Sequence, residues 1–255
     1  MYLEALKKLN KAKNSIEANE IVIMYKGKLN KRQFNDLVAI RDVIGYIHRH
    51  PLQQECVDWY LDNRIKIIKY LLKSEVPFLS ICDVGCGGGI FLSKIESDFK
   101  VGVDISRINL ENLKRDSPDS EAILADVEYL PFRDDVFDIV MFNEILEHLN
   151  NPKKSLLEVM RISNNKIEIS TPNGLLVGHG DPEHEHLFNP KEFAELLVDV
   201  GLNIIGGTGN LPHIYSLLFI DPNLLPLYKE LGEVYHTYKI SVMLNSNIFI
   251  MCSKR

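Results

Sequence analysis

Cysteine is scarce in this chain of 255 residues: the four are Cys56, Cys82, Cys86 and Cys252, and no two form a C-x-x-C pair. That spacing argues against a structural zinc or a disulfide scaffold, so reduced thiols in a cytosol are expected. No apolar run approaches the ~18 residues that a spanning helix requires. The first twenty residues are amphipathic and of mixed charge, without a secretory apolar region. Basic residues are outnumbered, 29 Lys and Arg against 35 Asp and Glu, for a net charge of -6. A nucleic-acid footprint shows as a basic patch or stripe, so no nucleic-acid partner is expected. These absences lead to the expectation of a cytoplasmic chain with no membrane span; they set no oligomeric state.

Two patterns divide what is present. Residues 1 to about 75 read as helical: in VDWYLDNRIKIIKYLLK, Val57, Tyr60, Leu61, Ile65, Ile68 and Leu72 recur at helical spacing. From about residue 79 short apolar strands alternate with helices. The strands are LSICDVG, KVGVDIS, AILADV, FDIVMF, KIEIST, LNIIGG and NIFIMCS. GIFLSKIES reads as the first intervening helix. Ser106, Asn151 and Asn189 read as caps of later ones, with Pro152 and Pro190 at first helical positions and Glu192 completing a capping box. Seven strands alternating with helices predict an α/β fold, a doubly wound and mostly parallel sheet beside an N-terminal helical region. The expected division is a helical region at 1–75 and a sheet domain at 76–255. An insertion at about 208–245, too long for a hairpin loop, reads either as a stabilising surface cap or as a lid over substrate.

The first strand runs into DVGCGGG, where Gly85, Gly87 and Gly89 alternate. A glycine-rich turn into a helix lets a ligand lie against bare backbone. Ile90 stands where a dinucleotide fingerprint has its third glycine. Asp83, two residues ahead of Gly85, suits an ammonium group better than a pyrophosphate. Asp104, with Ile105 beside it, lies about 20 residues past the first glycine, where an acid meets ribose hydroxyls. Asp126, followed by Val127, can accept from an adenine amino group. Ammonium, ribose and adenine together describe S-adenosylmethionine. The alternatives are local: Asp104 as a helix cap, Asp126 as a turn residue, the glycines as a plain tight turn. Cys86 reads as a small filler whose backbone faces the cofactor. Asn143 is placed to touch the methionine end or the acceptor, and Arg64 reads either as a partner of the cofactor carboxylate or as a solvated helix charge.

The run from Ser80 to about Gly201 resembles the class I, Rossmann-like S-adenosylmethionine-dependent methyltransferases. The motifs are DVGCGGG, VGVDIS, ADVEYLPF, FDIVMFNEILEHL and IEISTPN. The resemblance implies a seven-stranded sheet with an antiparallel last strand, and it puts substrate recognition in 1–75 and 208–245. It also implies methyl transfer by in-line displacement, in which the protein aligns donor and acceptor and excludes water. A base is needed only for a protonated nucleophile. The candidates are His148, His184 and His186, of which His148 and His186 are taken as catalytic. Glu144, Glu147, His148 and His186 also resemble the metal site of small-RNA 2′-O-methyltransferases and, in part, of ubiquinone-pathway O-methyltransferases. No metal is assigned from that likeness. The motif of nucleobase amino-methylating members is missing after the fourth strand, and no cysteine is placed for carbon methylation of pyrimidines. The expected acceptor is a small molecule, a sugar or a lipid-linked intermediate methylated on oxygen; the alternatives are a metal-assisted RNA 2′-O-methyltransferase and a protein that binds S-adenosylmethionine without catalysis.

Overall fold

A computed structural model describes residues 1–13, 15–47, 62, 65–66, 78–174, 183–209 and 247–254. Three helices come first, α1 (Tyr2–Leu9), α2 (Ser15–Tyr25) and α3 (Lys31–Ile47). They close around a small core of Ala5, Leu9, Ala18, Val22, Tyr25 and Leu37. Of the helix expected over residues 57–73, the described residues are Asp62, Ile65 and Lys66; all three are helical, and Ile65 is buried. Arg64 and nearly all of the 208–245 insertion lie outside the described residues.

The sheet follows, with β1 (Phe78–Val84), β2 (Ser97–Asp104), α4 (Arg107–Asp116), β3 (Glu121–Leu124) and β4 (Phe137–Asn143). A 3-10 turn (Leu146–His148), α5 (Pro152–Ile162), β5 (Ser163–Pro172), α6 (Pro190–Asp199), β6 (Leu202–Gly209) and β7 (Asn247–Lys254) complete it. Strand order is β3-β2-β1-β4-β5-β7-β6. The pairings β1–β2, β2–β3, β1–β4 and β4–β5 are parallel, and β7 runs antiparallel between β5 and β6. All seven expected strands are present, and the last one has the expected reversed sense.

Helix starts follow the capping chemistry read from the sequence. Ser106 accepts from the Asn109 N–H at 3.3 Å, and Asn151 from the Lys154 N–H at 3.2 Å. Asn189 accepts from the Glu192 N–H at 3.0 Å while the Glu192 carboxylate takes the Asn189 N–H at 3.1 Å. α5 buries Ser155, Leu156, Val159 and Ile162, one helical stripe laid on the sheet. One sheet face packs Val84, Val140, Ile167 and Ile169, and the opposite face packs Ile81, Ile139, Met141 and Met251. Both faces are therefore dry, as a parallel sheet requires.

The helix expected at GIFLSKIES is absent; residues 90–95 form a succession of turns, and β2 begins at Ser97. Ser93 N–H reaches the Gly89 carbonyl at 2.9 Å, but the next bond, Lys94 N–H to Phe91, already spans three residues. The Ser93 hydroxyl also turns back onto the Ile90 carbonyl at 2.8 Å. So short a segment after a glycine run cannot repay helix nucleation. Among the described residues, no helix is long and apolar enough to cross a membrane.

Candidate functional site

Strand order reverses at β1, with β2 and β3 on one side and β4 and β5 on the other. Open α/β sheets bind ligands outside the strand ends at such a switch point, and the glycine loop leaves β1 there. The Gly85 and Cys86 N–H groups both donate to the Val103 carbonyl, at 2.7 and 3.0 Å, which fastens the loop to β2. Gly85, Gly87 and Gly89 all have positive φ, at 76°, 52° and 78°. A Cβ at Gly85 would run into Ile145 and one at Gly89 into Leu113, whereas at Gly87 nothing lies within 4 Å. The chain's own packing requires two of the glycines; the third opens bare backbone to approach. Cys86 is buried, and its thiol lies 3.4 Å from the Gly87 carbonyl. Burial first, then the Asp83 carboxylate, pushes the Cys82 and Cys86 thiols well up, so both stay protonated near neutrality.

Asp104, at the end of β2, is buried and carries a dense set of donors. Its Oδ2 accepts from the Gly87 N–H at 2.9 Å; its Oδ1 accepts from the Ser106 N–H at 2.7 Å and Asn109 Nδ2 at 3.3 Å. Burial raises its pKa, and these hydrogen bonds oppose the rise. The acid therefore ties the glycine loop to the start of α4, whatever else it holds. Ile105 beside it is half-buried. Asp126 lies one strand further, partly exposed, with Lys31 Nζ 3.0 Å from both carboxylate oxygens and the Glu128 N–H at 3.1 Å. Val127 points into the core.

A buried polar corner lies on the other side of the loop. The registers pair Asp83 with Met141, Met141 with Glu168, and Asn143 with Ser170. Parallel partners share a face, so Asp83, Asn143, Glu168 and Ser170 stand on the face that also holds Ile81 and Met141. All four are buried. Asn143 Nδ2 donates to Glu168 Oε2 at 2.7 Å, and Asn143 Oδ1 is buried without a hydrogen-bond partner. Glu144 adopts φ 54° and accepts from the Ser170 hydroxyl at 2.7 Å. Glu168 was not among the residues singled out from the sequence. Its signal was an acid inside the KIEIST strand, and that alternation reads equally as a solvated face.

The histidines divide. His148 ends the 3-10 turn, with its Nδ1 3.2 Å from the Glu183 carbonyl and its Nε2 3.9 Å from Glu147 Oε1. Its ring meets that of His184 edge-on, with centroids 4.9 Å apart. Glu147 is buried, and its Oε2 accepts from Thr171 Oγ1 at 3.3 Å. Ligand atoms of Glu147, His148 and His184 all lie within 4.8 Å of one another, a cluster that can hold a metal ion. His186 instead stacks on Phe188 at 5.6 Å, with its Nε2 buried and unbonded. The structure thus groups His148 with His184 and Glu147, while the His186 ring lies against Phe188.

The N-terminal helices, which carry no recognisable motif, reach across these strand ends. Lys31 pairs with Asp126, and Arg41 pairs with Glu183 and also reaches Asn19 at 3.4 Å. Lys26 lies 3.1 Å from Glu185. Asp36, buried on α3, accepts from the Ser106 hydroxyl at 2.8 Å and from Tyr2 OH at 3.1 Å. Burial and then that acid push the Tyr2 phenol up to about 12.

Comparison with known proteins agrees with this geometry. A family model described as a methyltransferase domain matches residues 82–166. An uncharacterized protein of Methanocaldococcus jannaschii is 33% identical over 135 residues, 53% of this chain and 56% of that one. A probable S-adenosylmethionine-dependent methyltransferase of Mycobacterium tuberculosis is 23% identical over 154 residues, 57% of this chain and 56% of that one. Among solved structures, magnesium protoporphyrin IX methyltransferase from Synechocystis, with bound SAH, aligns with a TM-score of 0.52 at 14% identity, over 94% of both chains. The chain spans about half the length of the curated relatives it matches first. Residues 82–166 thus match a methyltransferase domain, in a fold that resembles solved methyltransferases and carries its glycine loop at the switch point of the sheet.

Proposed function

We propose that this chain transfers a methyl group from S-adenosylmethionine to the oxygen of a small-molecule, sugar or lipid-linked acceptor. The observation that carries the reading is Gly87, which is open to approach while its N–H is held by the buried Asp104 at the switch point. When bound, the cofactor supplies a sulfonium methyl that is already activated. The chain's task is then to bind, align and exclude water. Gly85, Cys86, Gly87 and Gly89 offer backbone to the cofactor. Asp104 and Ile105 face its ribose; Asp126 and the backbone of Val127, whose side chain packs in the core, face its adenine; and Asp83 and Asn143 face the amino-acid end. His148 is the base assigned to the acceptor, at the end of the turn that follows β4, with its Nδ1 set against the Glu183 carbonyl and its Nε2 3.9 Å from Glu147 Oε1. His186 is held as a second candidate. The regions 1–75 and 208–245 are assigned to acceptor recognition. A structural neighbour named for a porphyrin substrate supports a small-molecule acceptor.

The test is calorimetric titration of S-adenosylhomocysteine into the purified chain and into Gly87→Ala. A methyl at Gly87 meets no protein atom, though its φ of 52° strains an alanine, so loss of binding in a variant that keeps near-full stability reports the ligand's own approach. An unmutated chain that gives no binding heat would sink the reading.

A second reading is supported by the cluster of Glu147, His148 and His184. A divalent cation held there would lower the pKa of an acceptor hydroxyl and replace a protein base. Turnover that survives a chelator, or that is indifferent to His184→Ala, would remove this variant and leave the first.

A further inference from the structure

We propose that Glu168 is a positioning residue: it locks the Asn143 carboxamide so that Oδ1 is presented as an acceptor to the ammonium group of the bound amino-acid moiety. The inference deepens the cofactor reading and rests on it.

Glu168 lies in β5, a central strand between β4 and β7, and is fully buried. A carboxylate there is costly unless its lone pairs are used. At 2.7 Å, the bond from Asn143 Nδ2 has the length of a charge-assisted hydrogen bond. That bond also chooses the rotamer. Turning the amide over would set Oδ1 against the carboxylate, acceptor against acceptor, so only one orientation is tolerated. The two arms of the planar amide diverge. With Nδ2 committed to Glu168, Oδ1 is left on the other side, at the carboxyl end of β4, buried and without a protein donor. A buried carbonyl oxygen in that state calls for a ligand donor.

The neighbours narrow the ligand. Asp83 stands on the adjacent strand, on the same face, two register positions nearer the middle of the sheet. A carboxylate and an amide oxygen on one face of neighbouring strands, with a second carboxylate on the next, suit a cation with several N–H donors. They do not suit an anion or an apolar group. Within the proposed cofactor only the α-ammonium has that character.

Two probes separate the interaction from general damage: S-adenosylhomocysteine, which carries the amino-acid end, and 5′-methylthioadenosine, which lacks it. Titrated into Glu168→Gln, the first should weaken about 10-fold or more, the loss expected when a hydrogen bond to a charged group is disordered. The second should change less than about twofold. In an Asn143→Ala background, Glu168→Gln should have no further effect on the first probe, because its action runs through Asn143. Equal weakening of both probes, an undiminished effect in the Asn143→Ala background, or no weakening at all would overturn the assignment. If Glu168→Gln does not fold, Asn143→Ala alone must lose S-adenosylhomocysteine selectively, or the assignment fails. An unmutated chain that binds neither probe fails at the earlier step, and the cofactor reading goes with it.

Discussion

At Gly85 and Gly89 an added methyl would press on Ile145 and Leu113, whereas at Gly87 it would meet no atom of the chain. Positive φ costs an alanine about 1–2 kcal/mol at any of the three. Overpacking adds about 1–3 kcal/mol at the first and last. Urea unfolding should therefore place Gly85→Ala and Gly89→Ala roughly 2–5 kcal/mol below the unmutated chain, and Gly87→Ala only about 1–2 kcal/mol below it. A ranking with Gly87→Ala as the least stable of the three would contradict this division of roles. Asp104 gives a second prediction at this scale. Its folded pKa is raised above the ordinary 3.8. The folded chain therefore binds more protons than the unfolded one between that value and the raised one, and the carboxyl favours folding more as pH falls through the window. Asp104→Asn removes the titration. The difference in unfolding free energy between the unmutated chain and Asp104→Asn should move toward the unmutated chain on going from pH 7 to pH 4. Movement the other way would mean that the hydrogen bonds from Gly87, Ser106 and Asn109 outweigh burial.

Helix ends set much of the element scale. α6 begins with a complete capping box on Asn189 and Glu192, neither of which is among the proposed cofactor contacts. Asn189→Ala should cost about 1 kcal/mol of stability and leave S-adenosylhomocysteine affinity unchanged, which thermal unfolding and titration check together. Elements of this kind were legible in the sequence because a cap, a proline and an apolar stripe are local signals. The segment after the glycine loop was not. Apolar residues at Ile90, Phe91, Leu92 and Ile95 suit a helix, but the distance from Gly89 to β2 does not leave room for one. β5 misleads in another way. Lys166, Glu168 and Ser170 look like a solvated face, yet β4 and β7 flank the strand and both of its faces are covered.

For the molecule as a whole, the question is how α1–α3 are held over the strand ends. Surface pairs such as Lys26–Glu185 and Lys31–Asp126 contribute about 0–1 kcal/mol each and weaken with salt. Among the described residues the contacts with little exposure are Arg41 with Glu183 and the buried Asp36, bonded to the Ser106 hydroxyl and to Tyr2 OH. Asp36→Ala strips the acceptor from both and should cost about 2–3 kcal/mol. Because α3 meets the sheet domain there, the loss should show as faster hydrogen exchange across α1–α3, with the sheet core unchanged. Exchange that quickens evenly throughout the chain would mean that the helices and sheet unfold as one unit.

The sequence by itself determined the alternation of strands and helices, the caps, the glycine loop and the acids at the ends of β2 and β3, because each is written in a few neighbouring residues. Tertiary structure alone decided which polar groups are buried together. Asn143 and Glu168 are 25 positions apart, and Asp36 and Ser106 are 70 apart. His184, rather than His186, meets His148. Such contacts depend on strand order and on how helices lie across strand ends, and local periodicity carries neither. What makes a buried carboxylate tolerable in the middle of this sheet is a partner donated from the next strand, visible only once the strands are side by side.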